Sequence, residues 1–365
     1  MILVFCAILL FYCLSIIALI YGFAKVTSFD FIRLEPKTKF SIIVPFRNED
    51  ENLPKLLDSF SKLNYPAALY EVILVDDDSE QTFSVESKLA FSVEIIKNIR
   101  VSNSPKKDAI TTAMQIVKTD WIITTDADCF AKENWLLSLD NYIQNHDVSM
   151  IAGAVTYDVK DSFLHHFQQL DLASLQGATI GSFGLEKGFM CNGANFAYTK
   201  SFFQELNGFD GNDGIASGDD VFLLQKAILQ FPEKVCYLKA ENNIVVTKPE
   251  HNWKSLFHQR VRWASKTRSY QSKFGIGLGL VVFLGNLGLL FVICCLLFGK
   301  GNFYVLFFLL LLKFSVDFVL IHKTNKFLKN KTQFFLISSL LYPFFSVSVA
   351  LYSLFRKYEW KGRKF

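Results

Sequence analysis

The chain has 365 residues, 51% of them hydrophobic and 20% charged, with 38 Phe and 8 Pro. That balance excludes a disordered chain, a collagen-like fibre and a small disulfide scaffold. Thirty-eight Lys and Arg against 34 Asp and Glu leave a formal charge of +4, too little to argue for a nucleic-acid partner.

The first element is an apolar stretch at 2–24, long enough to cross a bilayer, which takes about 20 residues as helix. It lacks a basic leading region and a small-residue cleavage site, so it reads as an anchor rather than a removed signal peptide. Residues 1–21 carry no basic side chain, whereas Lys25, Arg33, Lys37 and Lys39 follow at once. The positive-inside rule then puts the N-terminus outside and the next segment in the cytoplasm.

Roughly 250 residues of ordinary globular composition come next. Short apolar runs at 40–45, 72–75, 93–96, 121–125 and 150–155 read as buried parallel strands. Amphipathic helical patterns lie between them at 52–63, 109–117 and 135–143; the first carries its stripe on Leu53, Leu56, Leu57 and Phe60. Alternation with short connections predicts an α/β fold built on a doubly wound, mainly parallel sheet, whose ligands sit beyond the carboxyl ends of the strands. A glycine-rich coil at 208–218 reads as a mobile loop.

Three further apolar stretches, 276–298, 303–321 and 334–355, close the chain. Lys313 and Asp317 lie four apart inside the second of them, and so on one helix face, where they pair or face protein. The expected organisation is an N-terminal membrane helix (1–24), a cytoplasmic catalytic domain (38–272), a C-terminal membrane region (276–355) and a basic tail (356–365), in a multi-pass protein of the cell membrane. Of seven cysteines, Cys6, Cys13, Cys294 and Cys295 fall in apolar stretches, while Cys129, Cys191 and Cys236 stand singly. Nothing resembles a disulfide framework or a zinc site.

Acidic groups cluster where the sheet rule puts ligands. The first strand runs into Pro45, Arg47 and Glu49, the second into Asp76, Asp77 and Asp78, and the fourth into Asp126 and Asp128. Asp and Asn also close strands and cap helices, which accounts for Asp78 and Glu49 equally well. Asp126 and Asp128 are different, because two carboxylates at i and i+2 after a buried strand repel unless a cation lies between them. A hard divalent cation bridging to a diphosphate supplies that charge. A fourth cluster, Ser217, Gly218, Asp219 and Asp220, opens a helical run and offers a carboxylate able to act as a base. Farther on, Gln259, Arg262 and Trp263 share one helix face. A guanidinium suits a departing diphosphate and an indole suits the apolar face of a sugar. The neighbouring Arg260, Lys266 and Arg268 read as a basic face resting on lipid headgroups.

In order and spacing, these segments resemble glycosyltransferase family 2, specifically its membrane-embedded members with a GT-A catalytic domain. The resemblance covers about residues 40 to 270. It implies a nucleotide-binding strand carrying Pro45, Arg47 and Glu49, and base and ribose contacts from Asp76 and Asp77. It further implies a nucleotide-side lysine at Lys106 and a metal-binding DxD at Asp126 and Asp128, with Asp126 also on the donor. Asn192, Gly193 and Asn195 look like the acceptor-side segment, joined by Asp219, Gln259 and Trp263 of the QxxRW motif. Asp220 is the implied general base, and Arg262 the group at the leaving diphosphate. Two positions depart from the family pattern: Asp78 replaces a usual glycine, and Asp219 a usual glutamate. The activity implied is an inverting transfer from a nucleotide sugar, with UDP as its carrier and Mg²⁺ or Mn²⁺ as cofactor. The acceptor is a lipid or growing glycan at the bilayer.

Two other classes share parts of this pattern. A catalytically inactive scaffold of the same fold would not need intact acids and arginine. A nucleotidyltransferase would not need the helix bearing Gln259, Arg262 and Trp263, and would release pyrophosphate rather than UDP. Topology is the one internal conflict. Three full C-terminal spans put the loop at Lys323, Lys326, Lys329 and Lys331 inside and the tail at Arg356, Lys357, Lys361, Arg363 and Lys364 outside. A re-entrant 276–298, interrupted by four glycines with Gly275 just before it, reverses both. Three spans is the expectation, because that stretch is long enough to cross.

Overall fold

A computed structural model describes residues 2–30, 34–85, 88–212, 215, 217–355, 359–360 and 363–364. Arg33, Arg356, Lys357 and Lys361 of the topology argument, and part of the 208–218 coil and of the basic tail, lie outside the described residues. The chain opens with α1 (Ile2–Lys25), then lays down β1 (Phe40–Phe46), α2 (Leu53–Ser61), β2 (Tyr70–Asp76), β3 (Ser92–Lys97) and α3 (Pro105–Met114). It continues through β4 (Trp121–Thr124), β5 (Cys129–Phe130), α4 (Trp135–Asn145), β6 (Met150–Gly153), β7 (Val155–Tyr157) and α5 (Phe163–Gly184). Next come β8 (Phe196–Thr199), α6 (Lys200–Glu205), α7 (Asp219–Gln230), β9 (Val235–Leu238) and β10 (Val245–Thr247). Four helices follow: α8 (Trp253–Ser265), α9 (Lys273–Leu297), α10 (Phe303–Leu328) and α11 (Phe335–Phe355).

These elements fall into two compact units. Residues 27–158 and 190–248 form an α/β unit; residues 1–26, 159–189 and 249–365 form a helical one. The division cuts across the domain expected at 38–272, because α5 and α8 group with the long apolar helices.

The α/β unit is built on a seven-stranded sheet of order β3-β2-β1-β4-β8-β6-β9. It is mainly parallel, as the alternating pattern predicts; β8 alone runs antiparallel, to both β4 and β6. Strand order reverses at β1, between β2 and β4. There β1 stays paired with β2 through Phe46↔Asp76, while β4 leaves it after Ile43↔Thr124. The crevice so opened is where a doubly wound sheet binds ligands. Pro45, which has no N–H to offer a ladder, sits past the point where β4 departs.

Three details differ from the strand and helix pattern of the sequence. β3 is the sheet edge and largely exposed, so its apolar run is not a doubly buried strand. The run 150–155 splits at Ala154, β6 staying in the large sheet and β7 joining β5 and β10 in a smaller one. Ala154 gives its carbonyl to Val245 N–H at 3.0 Å and to Asn195 Nδ2 at 2.9 Å, which takes it out of either ladder. Finally, α3 begins four residues before its apolar pattern, at Pro105, whose fixed φ suits a first helical turn.

In the helical unit, α1, α9, α10 and α11 are long and apolar enough to cross a membrane. α9 runs unbroken for 25 residues through its glycines, with none of the interruption a re-entrant path requires. α1 buries one stripe, Leu9, Tyr12, Cys13, Ile16, Leu19 and Phe23, and exposes Leu3, Val4, Leu10, Phe11, Leu14, Ile17 and Tyr21 on the other. Tyr12 Oη donates to Asp317 Oδ1 at 2.7 Å, and Lys313 Nζ donates to Asp317 Oδ2 at 2.7 Å. The expected pair therefore also fastens α10 to α1. Where α1 crosses α5 the two backbones touch. A Cβ on Gly184 would lie 1.8 Å from the carbonyl oxygen of Gly22, and one on Gly181 2.5 Å from that of Leu19.

Gly184→Leu should therefore prise α1 from α5 and lower the thermal unfolding midpoint of detergent-solubilised protein by several degrees, a loss above about 2 kcal/mol. Gly277→Ala, whose Cβ meets nothing within 4 Å, should leave the midpoint unchanged or raised. Equal midpoints for both variants would refute the contact.

Candidate active site

The site is built from three chain segments that converge on one ammonium. β4 delivers Asp126 and Asp128 just past its end, and α7 opens with Asp219 and Asp220. Between them reaches Lys106, from the first turn of α3. Its Nζ donates to Asp126 Oδ1 at 2.7 Å and lies 3.4 Å from Asp219 Oδ2. Burial alone would push the Lys106 ammonium down; attraction by Asp126 and Asp219 outweighs it, so the group stays charged. Lys106, the lysine that the family resemblance implies, is thus the one that meets the acids.

Asp220 is held by backbone. Its Oδ2 accepts Gly193 N–H at 2.8 Å and its Oδ1 accepts Val221 N–H at 2.7 Å. Both oxygens of the carboxylate are thus held by backbone N–H groups, which fix its direction. Gly193 in turn gives its carbonyl to Thr124 Oγ1 at 2.9 Å. The residue two before Asp126 thus fixes the segment that fixes Asp220. A Cβ on Gly193 would lie 3.1 Å from both Asp219 Oδ2 and Lys106 Nζ, so this glycine forms the floor between them. Gly218, the N-cap of α7, stands at φ +89°, with Phe222 against the face a side chain would occupy.

The acid pair fits a hard divalent cation. Ligand atoms of Asp126, Asp128 and Cys129 lie within 4.8 Å of one another. Cys129 Sγ sits 3.8 Å from Asp128 Oδ1, and burial pushes its thiol up, so the two carboxylates are the donors of interest.

Asp76 and Asp77 lie at the end of β2, on the same crevice edge as Arg47 and Glu49. Asp76 Oδ1 accepts Ser79 N–H at 3.0 Å. Asp77 Oδ1 accepts Asn98 Nδ2 at 2.7 Å and Arg100 Nη1 at 3.4 Å, and Arg100 Nε also binds Asp108 at 3.0 Å. Glu49 Oε2 takes Asn52 Nδ2 at 2.5 Å. Sequence reasoning missed Asn98, Arg100 and Thr124. Asn98 and Arg100 follow the carboxyl end of β3, where the sheet rule already directs attention; Thr124 gave no signal.

Asn195, expected on the acceptor side, is placed in the core. It is 2% exposed, with Oδ1 accepting Trp135 Nε1 at 3.1 Å and Nδ2 donating to the carbonyls of Ala154 and Asn243. Its neighbour Asn192 is less buried and accepts Ala194 N–H at 3.0 Å. In the helical unit, Gln259, Arg262 and Trp263 lie on α8. Gln259 Nε2 donates to Glu250 Oε1 at 2.8 Å. Arg260 does not rest on headgroups as expected: its side chain is 5% exposed, binds Asp171 Oδ2 at 2.5 Å, donates to Gln259, and stacks 4.2 Å over Trp263.

Asp78, exposed at φ +65°, occupies a left-handed position, which explains why a glycine is usual there. Asp78→Gly should hold stability or gain up to about 1 kcal/mol, while Asp78→Val should lose about 1–2 kcal/mol. Thermal midpoints in the reverse order would contradict that backbone.

Residues 41–206 match the sequence model described as Glycosyl transferase family 2. A Serratia proteamaculans undecaprenyl-phosphate 4-deoxy-4-formamido-L-arabinose transferase is 34% identical over 106 residues, 26% of this chain and 31% of that protein. A Bacillus subtilis protein named "Probable glycosyltransferase YdaM" is 25% identical over 254 residues, 65% of this chain and 57% of that one. The chain spans between 20% and 57% of the lengths of the curated relatives it matches. Among solved structures, the Pyrobaculum calidifontis mannosyltransferase PcManGT, in complex with GDP-Man and Mn²⁺, aligns over 96% of this chain and 99% of its own. At a TM-score of 0.54 and 14% identity, that likeness is one of fold. With the family match running from β1 to the end of α6, this chain carries a glycosyl transferase family 2 domain on a GT-A-like α/β fold.

Proposed function

We propose that this protein is a membrane-embedded, inverting glycosyltransferase. It moves a sugar from a nucleotide sugar, with UDP as the carrier, to a lipid or glycan acceptor at the cytoplasmic membrane face. The observation that carries the reading is the junction at Gly193, where a base candidate is tied to the strand that bears the metal-ligand candidates. In support, the Serratia relative is named for an undecaprenyl-phosphate acceptor. A Staphylococcus aureus relative, TarS, is named as an N-acetylglucosaminyltransferase acting on poly(ribitol phosphate).

In this reading Asp76 and Asp77 hold the nucleoside, with Asn98 and Arg100 orienting Asp77. Asp126 and Asp128 would hold Mg²⁺ or Mn²⁺, which when bound supplies charge against the donor diphosphate. Lys106 keeps Asp126 and Asp219 together beneath Gly193. Asp220 takes the proton of the acceptor hydroxyl as that oxygen attacks the anomeric carbon, and its two backbone N–H bonds keep the carboxylate aimed while the proton moves. Asn192, Gly193 and Asp219 line the acceptor side. The roles of Gln259 and Trp263 at the acceptor, and of Arg262 at the leaving diphosphate, rest on sequence resemblance.

A panel of nucleotide sugars incubated with purified protein and membrane lipids, read by release of free nucleotide diphosphate, tests the reaction class. Asp220→Asn should lose ~10²–10⁴-fold in transfer while keeping nucleotide affinity. Near-wild-type turnover would overturn the base assignment. Asp128→Asn should weaken UDP binding in Mn²⁺ but not in chelator; undiminished affinity in Mn²⁺ would remove Asp128 from the metal site.

Orientation is tested separately. With α1, α9, α10 and α11 all crossing, single cysteines in a cysteine-free background should react with an impermeant outside reagent at Lys300 and be protected at Lys329. The opposite pattern would mean that α9 does not cross.

A further inference from the structure

Lys107 is among the most deeply buried side chains of the protein, 1% exposed, and the mechanism above does not use it. Its Nζ donates to the carbonyl oxygens of Asn212 at 2.5 Å and Ile215 at 2.9 Å, and sits 5.0 Å over the ring of Phe222. A second lysine grips the same coil farther back. Lys226 Nζ donates to the carbonyls of Gly208 at 2.9 Å and Asp210 at 2.6 Å. The described part of the coil expected to be mobile is therefore gathered around two ammonium groups. Phe222 lies in the first turn of α7 and packs where a side chain on Gly218 would stand, so Lys107 touches both the approach to Asp219 and Asp220 and the turn that carries them.

Its place in the chain gives that contact meaning. Lys106 and Lys107 are consecutive in the first turn of α3, at the positive end of a helix dipole, where cations are disfavoured. Both are compensated, in different directions: Lys106 by Asp126 and Asp219, Lys107 by carbonyl dipoles of the coil. One helical turn thereby ties the metal-side Asp126 to Asp219 with one side chain and holds the coil that leads to the base with the next.

We propose that Lys107 is a positioning residue for transfer: by holding the Asn212 and Ile215 carbonyls and the Phe222 ring, it sets the place of Asp220 relative to Asp126 and Asp128. The inference rests on Asp220 being the base, as proposed above. Lys107 is buried against the coil that it holds, so donor binding should be independent of it.

The test uses the full chain in detergent, with the nucleotide sugar that the panel shows to turn over, and UDP with Mn²⁺ as the binding probe. Lys107→Met keeps the length and removes the charge. It should bind UDP within twofold of wild type, lose at least tenfold in kcat, and shift the acidic limb of the kcat–pH profile, since the base has moved. Lys107→Arg, which can still donate to both carbonyls, should recover a substantial part of kcat. Wild-type kcat per UDP-binding site in Lys107→Met would overturn the proposal, as would equal losses of UDP binding and turnover. If Lys107→Met does not fold, Lys107→Gln answers the same question by the same criteria. Asp220→Asn run in parallel separates the two claims. An inactive Asp220→Asn beside an unaffected Lys107→Met refutes the positioning role alone, whereas a fully active Asp220→Asn refutes both.

Discussion

One ammonium makes the site possible. Asp126 and Asp219 come from the two separate chain segments of the α/β unit, and without a cation between them their charges would drive β4 and α7 apart. Lys106 supplies that cation from 2.7 Å and 3.4 Å. The arrangement explains why α3 tolerates lysines at its N-terminus and why position 193 favours a residue without a side chain. In the metal site proposed above, a cation at Asp126 would relax the demand on Lys106, the two sharing one carboxylate.

Positioning elsewhere relies on backbone and buried polar pairs more than on apolar packing. Thr124, Gly193 and Asp220 form a short relay of hydrogen bonds in which only the outer members contribute side chains. Asn195 ties Trp135 to Ala154 and Asn243 with all of its amide. The helical unit uses the same device under harsher conditions. Arg260 with Asp171, and Lys313 with Asp317 and Tyr12, are pairs whose individual members would be costly to bury alone. Such pairs specify which helix faces meet, which a uniformly apolar surface does not.

Much of this was legible because it is local. Short apolar runs mark β1, β2 and β4, a 3.6-residue period marks α2 and α4, and acids at strand ends mark the crevice. The four long apolar helices are evident from length alone. What escaped has a non-local cause. β8 is antiparallel because of where the chain returns, not because of its residues. Ala154 breaks a continuous apolar run at the point where its carbonyl accepts from both Asn195 and Val245. Asn195 reads as a polar residue at a site and is instead spent on the core, and Arg260 reads as an interfacial cation and is instead buried. In both, the side chain's type was visible and its partner, 41 or more positions away, was not.

The backbone contact between α1 and α5 carries a consequence for biogenesis. α1 is synthesised well over a hundred residues before the Gly181–Gly184 surface that it must touch, and earlier still than α9 and α10. Its buried stripe includes Tyr12, whose hydroxyl has its partner on α10. In the membrane-embedded form proposed here, α1 must wait in the bilayer with that stripe and the Gly22 backbone facing lipid while the α/β unit is translated. Quality-control machinery that recognises unassembled membrane helices would encounter this intermediate in every copy made, and α5 is the first segment able to end the exposure.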